Sequence, residues 1–145
     1  MTEKTNEEPK EGFVRLTNKR FAEVYKSFQA LVAYELPSVL SFNCARVLGA
    51  MKPDFDALAE TEKKLFEKGA KKNETGTPVL SEGDPNYAVF TKDRDSLMGA
   101  TVDIDLSKFK FPFVIPGNIQ TASGEKPLLI PGAILLGILD YVKVE

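Results

Sequence analysis

Asp103 and Asp105 are the residues whose types and spacing come nearest to chemistry. In their run, Val102, Ile104 and Leu106 alternate with Asp103, Asp105 and Ser107. That alternation predicts a half-buried strand, and strand side chains two apart share a face. Two carboxylates on one face are suited to Mg²⁺ or Ca²⁺, which take oxygen ligands. The same spacing also describes the solvated face of an ordinary amphipathic strand.

Little else is available to help the pair. The chain has no histidine and one cysteine, Cys44. Schemes that pass a proton from serine or cysteine through histidine are therefore closed to it, as are zinc sites built from histidine or several cysteines. No phosphate-binding or dinucleotide-binding glycine loop is present. The string Asp103-x-Asp105-x-Ser107 loosely resembles aspartate-nucleophile phosphatases, but the other elements of such an enzyme are missing. Asp54 and Asp56 follow Pro53, where acids favour the start of a helical segment. Glu82 and Asp84 precede a helix start, and Asp93, Arg94 and Asp95 read as a solvated helix face. Asn73-Glu74-Thr75 matches a glycosylation acceptor, which means little without a secretory signal. The expectation is a protein that is not an enzyme and needs no cofactor, with Asp103 and Asp105 kept as the candidate metal pair.

The elements that would position these residues follow from periodicity. Phe13–Leu16 reads as a short strand, and Thr17 or Asn18 supplies an N-cap oxygen. Phe21, Val24, Tyr25, Phe28, Leu31 and Val32 then trace one face of a helix that Pro37 stops. A second helix starts at Pro37 or Ser38, with a stripe of Leu40, Cys44, Val47, Leu48, Met51, Phe55, Leu58 and Leu65. It is either two helices meeting at residues 51–53 or one kinked at Pro53, and Gly69 marks its end. The short connection makes these helices antiparallel neighbours. Residues 71–84 read as a loop, Asp84-Pro85 as a helix start, and Gly99 as that helix's end. Beyond the Asp103 strand, Phe109, Phe111, Phe113 and Ile115 alternate with Lys108, Lys110, Pro112 and Val114. Pro112 confines that run to an edge strand or an extended strap. Residues 117–126 read as a loop, Ile134–Leu139 as a short helix or alternatively a strand, and 141–145 as an edge segment. The expected fold is α+β: an N-terminal helical hairpin plus a third helix, packed on a small antiparallel sheet near both termini.

Composition sets outer bounds. The chain has 145 residues, 43% of them hydrophobic, enough for one domain to build a core without staples. The expected organisation is a polar arm at residues 1–12 and one domain at 13–145. The arm carries Glu3, Glu7, Glu8 and Glu11 against Lys4 and Lys10, and alone such a segment is expected to be disordered. A net charge of −2 argues against nucleic acid as the main partner, since phosphate binding calls for a basic surface. Cys44, flanked by Phe42 and Val47-Leu48, reads as a buried thiol. The most apolar stretch, residues 128–142, is broken by Pro131, Gly132, Gly137 and Asp140. It is shorter than the ~20 residues of a spanning helix, so no membrane partner is expected.

One further pattern spans most of the chain. It runs through Leu16-Thr17-Asn18-Lys19, Leu36-Pro37-(x)3-Ser41-Phe42 and Lys52-Pro53-Asp54-Phe55-(x)2-Leu58. A charged helical stretch, the Thr101–Asp105 strand and Ile130-Pro131-(x)2-Ile134-Leu135 follow. In this order the chain resembles a family of small uncharacterised tailed-bacteriophage proteins, over residues 16–106 and 130–140. The arm and the Phe-rich segment 108–127 depart from that pattern. The resemblance implies a phage protein made in bacterial cytoplasm, so the expected location is the virion or the host cytoplasm; it implies no catalytic residues. Three readings follow. The first is a virion or assembly component acting through protein–protein contacts, with itself, other phage proteins or a host protein, and with homo-oligomers allowed. Its interface candidates are Phe109, Phe111 and Phe113, whose alternative role is to fill the core. The second is a small inhibitor of a host enzyme or bacterial defence complex. The third is a metal-dependent enzyme using Asp103 and Asp105.

Overall fold

The computed structural model describes residues 8–145, so most of the expected arm lies outside the described residues. Its last part is tied down: the Phe13 N–H donates to the Lys10 carbonyl, and the Leu106 N–H donates to the Gly12 carbonyl.

Strand β1 (Phe13–Thr17) leads directly into helix α1 (Asn18–Leu31). Thr17 caps that helix, its hydroxyl accepting from the Arg20 N–H at 3.2 Å. Helix α1 ends at Leu31, six residues before the proline expected to stop it. Helix α2 (Ser38–Gly69) is a single 32-residue helix that runs through Pro53. Proline has no N–H to donate to the carbonyl four residues back; that residue is Gly49, which is exposed. A Lys52–Asp56 ion pair at 2.9 Å spans the proline. Two antiparallel helices thus form the expected N-terminal hairpin.

Residues 71–84, expected to be a loop, contain a small ladder of β2 (Lys71–Lys72) and β3 (Pro78–Val79). Asn73 shapes its turn: the side-chain oxygen accepts from the Thr75 and Thr77 N–H groups. Helix α3 (Pro85–Gly99) begins as expected, with Asp84 accepting from the Asn86 N–H at 2.9 Å. Asn18 joins the start of α1 to the end of α3 through its side-chain bond to the Leu97 carbonyl at 2.8 Å. Strand β4 (Thr101–Asp105) then pairs antiparallel with β1.

The C-terminal third departs most from expectation. Residues 117–126 are not a loop: β6 (Asn118–Thr121) and β7 (Gly124–Pro127) form an antiparallel hairpin. Strand β5 (Phe113–Ile115) pairs in parallel with β8 (Val142–Val144), and α4 (Gly132–Leu136) lies between them in sequence. The fold is α+β, but among the described residues the strands form four separate two-stranded ladders, one of them parallel, rather than one antiparallel sheet.

One core joins these pieces. Phe21, Val24, Phe28 and Leu31 of α1 meet Cys44, Val47 and Met51 of α2, with Ile104, Ile115 and Ile138 arriving from the strands and the C-terminal turn. Tyr25 and Phe55 stack with ring centroids 4.0 Å apart, which holds the two helices together beyond the proline.

Candidate interaction surface

The carboxylate pair comes first. Asp103 and Asp105 lie on the exposed face of β4, opposite buried Ile104, as alternation requires. Asp103 faces Arg15 across the ladder. The guanidinium donates twice, Nε to Oδ1 at 2.8 Å and Nη2 to Oδ2 at 3.0 Å. This two-pronged, charge-assisted geometry is the strong form of the contact, and it holds the Asp103 carboxyl below its ordinary pKa. Asp105 turns back on the chain, where Oδ1 accepts from both the hydroxyl and the N–H of Ser107. Those bonds lower its pKa as well. Each acid is thus engaged by its own neighbour, and among the described residues no three His, Cys, Asp or Glu side chains gather around one point. Cys44 is fully buried, and desolvation pushes its thiol up to about 11. Its neighbour Phe42, read as part of the same buried environment, is exposed.

The three phenylalanines do not line an edge strand. Only Phe113 lies in β5, where it is buried. Before it, the chain turns: the Phe109 N–H donates to the Leu106 carbonyl at 3.1 Å, and Phe111–Pro112 is a cis peptide bond. The rings form a cluster, with centroids 4.7 Å apart for Phe111–Phe113 and 6.0 Å for Phe109–Phe111. Tyr141 extends it, 5.1 Å from Phe111 and 6.0 Å from Phe28. Phe109 and Phe111 are partly buried against the core. This packing is the core-filling alternative, with Phe109 at the rim.

At that rim the cluster reaches a surface that sequence reasoning missed. Phe42 is 63% exposed and Val39 71% exposed. With Arg46 they occupy positions i, i+3 and i+7 of α2, on the side away from the Leu40–Cys44–Val47 stripe. The Arg46 guanidinium stands 5.1 Å from the Phe109 ring and 5.7 Å from the Phe42 ring, close enough for cation–π attraction to both. Beside this stack runs a cleft of about 460 Å³ between the start of α2 and β5, lined by Pro37, Val39, Leu40, Phe113, Val114 and Pro116 among others. A second hollow of about 360 Å³ is lined by Arg46, Ala50, Asp105, Lys108 and Phe109. The signal was present in the sequence as two apolar residues, Val39 and Phe42, off the buried stripe; next to a longer inner stripe they read as noise.

A second exposed apolar region lies at the C-terminal corner, where Leu136 and Leu139, three residues apart, are 68% and 59% exposed. Single exposed leucines are ordinary, but grouped ones mark contact surfaces. No helix among the described residues is long and apolar enough to cross a membrane. Compared with known proteins, the chain matches no family model, no curated protein and no solved structure.

Proposed function

We propose that this is a non-catalytic bacteriophage protein that works through protein–protein contacts, as a virion or assembly component. The observation that carries the contact reading is the Phe42–Arg46–Phe109 stack beside the apolar cleft. Aromatic and arginine side chains held in place by packing are the usual anchors of protein interfaces, because little side-chain freedom remains to be lost on binding. The partnered state of Asp103 and Asp105 supports a structural role for both acids. The phage assignment rests on the pattern of prolines, capping residues and the Thr101–Asp105 strand.

The test is quantitative mass spectrometry of purified particles of the phage that encodes the chain. A fixed, symmetric copy number per particle is expected. Absence from particles, with abundance in infected cells, overturns the virion reading and moves the search to pull-downs for a host enzyme or defence complex.

A further inference from the structure

The molecule exposes two apolar features that complement each other: a cleft whose Asn43 lies one turn of α2 before Arg46, and a leucine corner beside an aspartate. We propose that the α2–β5 cleft of one copy takes the Leu136–Leu139–Asp140 corner of a second copy. This rests on the reading that the protein acts through protein contacts, and names the partner for that surface.

The corner is a built projection. After α4 the chain continues in tight turns, with the N–H groups of Gly137, Ile138 and Tyr141 donating three residues back to Ile134, Leu135 and Ile138. In such turns side chains three apart eclipse. Leu136 and Leu139 are therefore exposed on one side, with exposed Ala133 preceding them in α4, while Ile138, Tyr141 and Val142 face the core. Close packing on α1 fixes the corner: a Cβ on Gly137 would stand 2.9 Å from the Ser27 Cβ. None of these corner residues lines the cleft of its own molecule.

Charge points the same way. Arg46 has two aromatic rings for company but no carboxylate within ion-pair distance among the described residues. Asp140 is 81% exposed, and its ion pair to Arg20 stretches to 3.9 Å. The leucine row offers what the proline- and valine-lined cleft can bury, and Asp140 offers what Arg46 can bind. Because cleft and corner are different patches, the contact is heterologous and closes into a ring or grows as a chain according to its rotation.

Sedimentation equilibrium of the full chain, from micromolar to submillimolar concentration, tests this. The expected result is concentration-dependent association. Leu139→Glu, at an exposed position, weakens it at least ~10-fold, because apolar burial is lost and a carboxylate enters the cleft. Arg46→Glu weakens it similarly, and Arg46→Glu combined with Asp140→Lys recovers most of the loss. A monomer throughout the range overturns the proposal, as does parent-like association of Leu139→Glu or absence of rescue in the charge swap. Far-UV circular dichroism confirms that each variant is folded. A monomer that still appears at fixed copy number in particles sinks only this inference; a self-associating chain absent from particles sinks only the virion reading.

Discussion

Replacing Gly12 with alanine imposes two separate costs. Gly12 has φ +83°, a left-handed conformation that costs an L-residue with a Cβ about 1 kcal/mol. The new Cβ would also overlap the Ser107 Cβ and lie 2.9 Å from its Cα. That overlap involves atoms fixed to the backbone, and overpacking of this kind costs about 1–3 kcal/mol. The sum is roughly 2–4 kcal/mol. With a urea m-value of about 2 kcal/mol/M, the midpoint should fall by about 1–2 M. Gly76 is the internal control. Its φ is +82°, yet nothing lies within 4 Å of its Cβ position, so Gly76→Ala carries only the backbone term of about 1 kcal/mol. The difference between the two variants therefore reports the Gly12–Ser107 contact alone. Removing the Ser107 Cβ should relieve part of the damage, so Gly12→Ala with Ser107→Gly should lose less than the two single variants summed. Equal midpoints for Gly12→Ala and Gly76→Ala refute the argument, because β1 would then not be seated against the Asp105–Ser107 turn as described.

Four further outcomes are expected. Asp103 is held below its ordinary pKa by Arg15, so its contribution is present above the unfolded value near 3.8 and is lost as pH falls through the lower folded value; Asp103→Asn should flatten that part of an acid-unfolding curve. Millimolar Mg²⁺, Mn²⁺ or Ca²⁺ should leave the melting temperature unchanged, and a rise abolished by Asp103→Asn would restore the metal-enzyme reading. The Cys44 thiol, raised by burial from 9.0 to about 11, contributes stability that is full below pH 9 and declines as pH rises towards 11; its reaction with an aromatic disulfide reagent should proceed only as fast as the chain unfolds, and rapid labelling of native protein would refute its burial. Pro53→Ala should stabilise the chain by about 1–3 kcal/mol in chemical denaturation, since it restores a donor aimed at the Gly49 carbonyl, whereas a loss would mean that α2 needs the proline's geometry.

How much of this was legible in the sequence depended on how local the determining physics was. The capping residues Thr17 and Asp84, the α1 face and the β4 alternation all act within a few residues, and each appears where periodicity placed it. The β6–β7 hairpin did not announce itself, because Ile119 is its one large apolar residue and its strands are mostly exposed; with no buried face there is no hydrophobic alternation to read. The parallel β5–β8 pairing was beyond reach for another reason. Such a pairing is set by tertiary closure around α4 and Tyr141, and neither three-residue strand encodes its partner. The carboxylate pair was placed correctly on one face, but its partners were not foreseen. Arg15 reaches Asp103 only because the β1–β4 register puts them opposite each other.

The aromatic run shows why a correct periodicity can lead to the wrong surface. Phe109, Phe111 and Phe113 alternate in sequence, and alternation in a strand would send all three rings to one side. Here the chain bends at residues 111–112, so the three rings gather into one cluster, with Tyr141 against Phe111, and pack on the core instead of lining an edge. Two prolines, Pro112 and Pro116, flank β5 and blunt its remaining edge against further strands. What is left for recognition is therefore side chains rather than backbone. Phe109 is the point of transfer: one ring sits against Phe111 and Phe113 within the molecule and under Arg46 at its surface. A change at Phe109 should consequently act twice, loosening the core cluster and releasing Arg46 from one of its two rings. Arg46→Ala removes the surface role alone. If contact depends on this stack, Arg46→Ala should reduce self-association while leaving the unfolding free energy from urea titration within about 0.5 kcal/mol of the parent, as exposed positions do. Phe109→Ala should lower both. Loss of association with Phe109→Ala but not with Arg46→Ala would mean that the cluster merely supports the fold, and that the contact surface lies elsewhere.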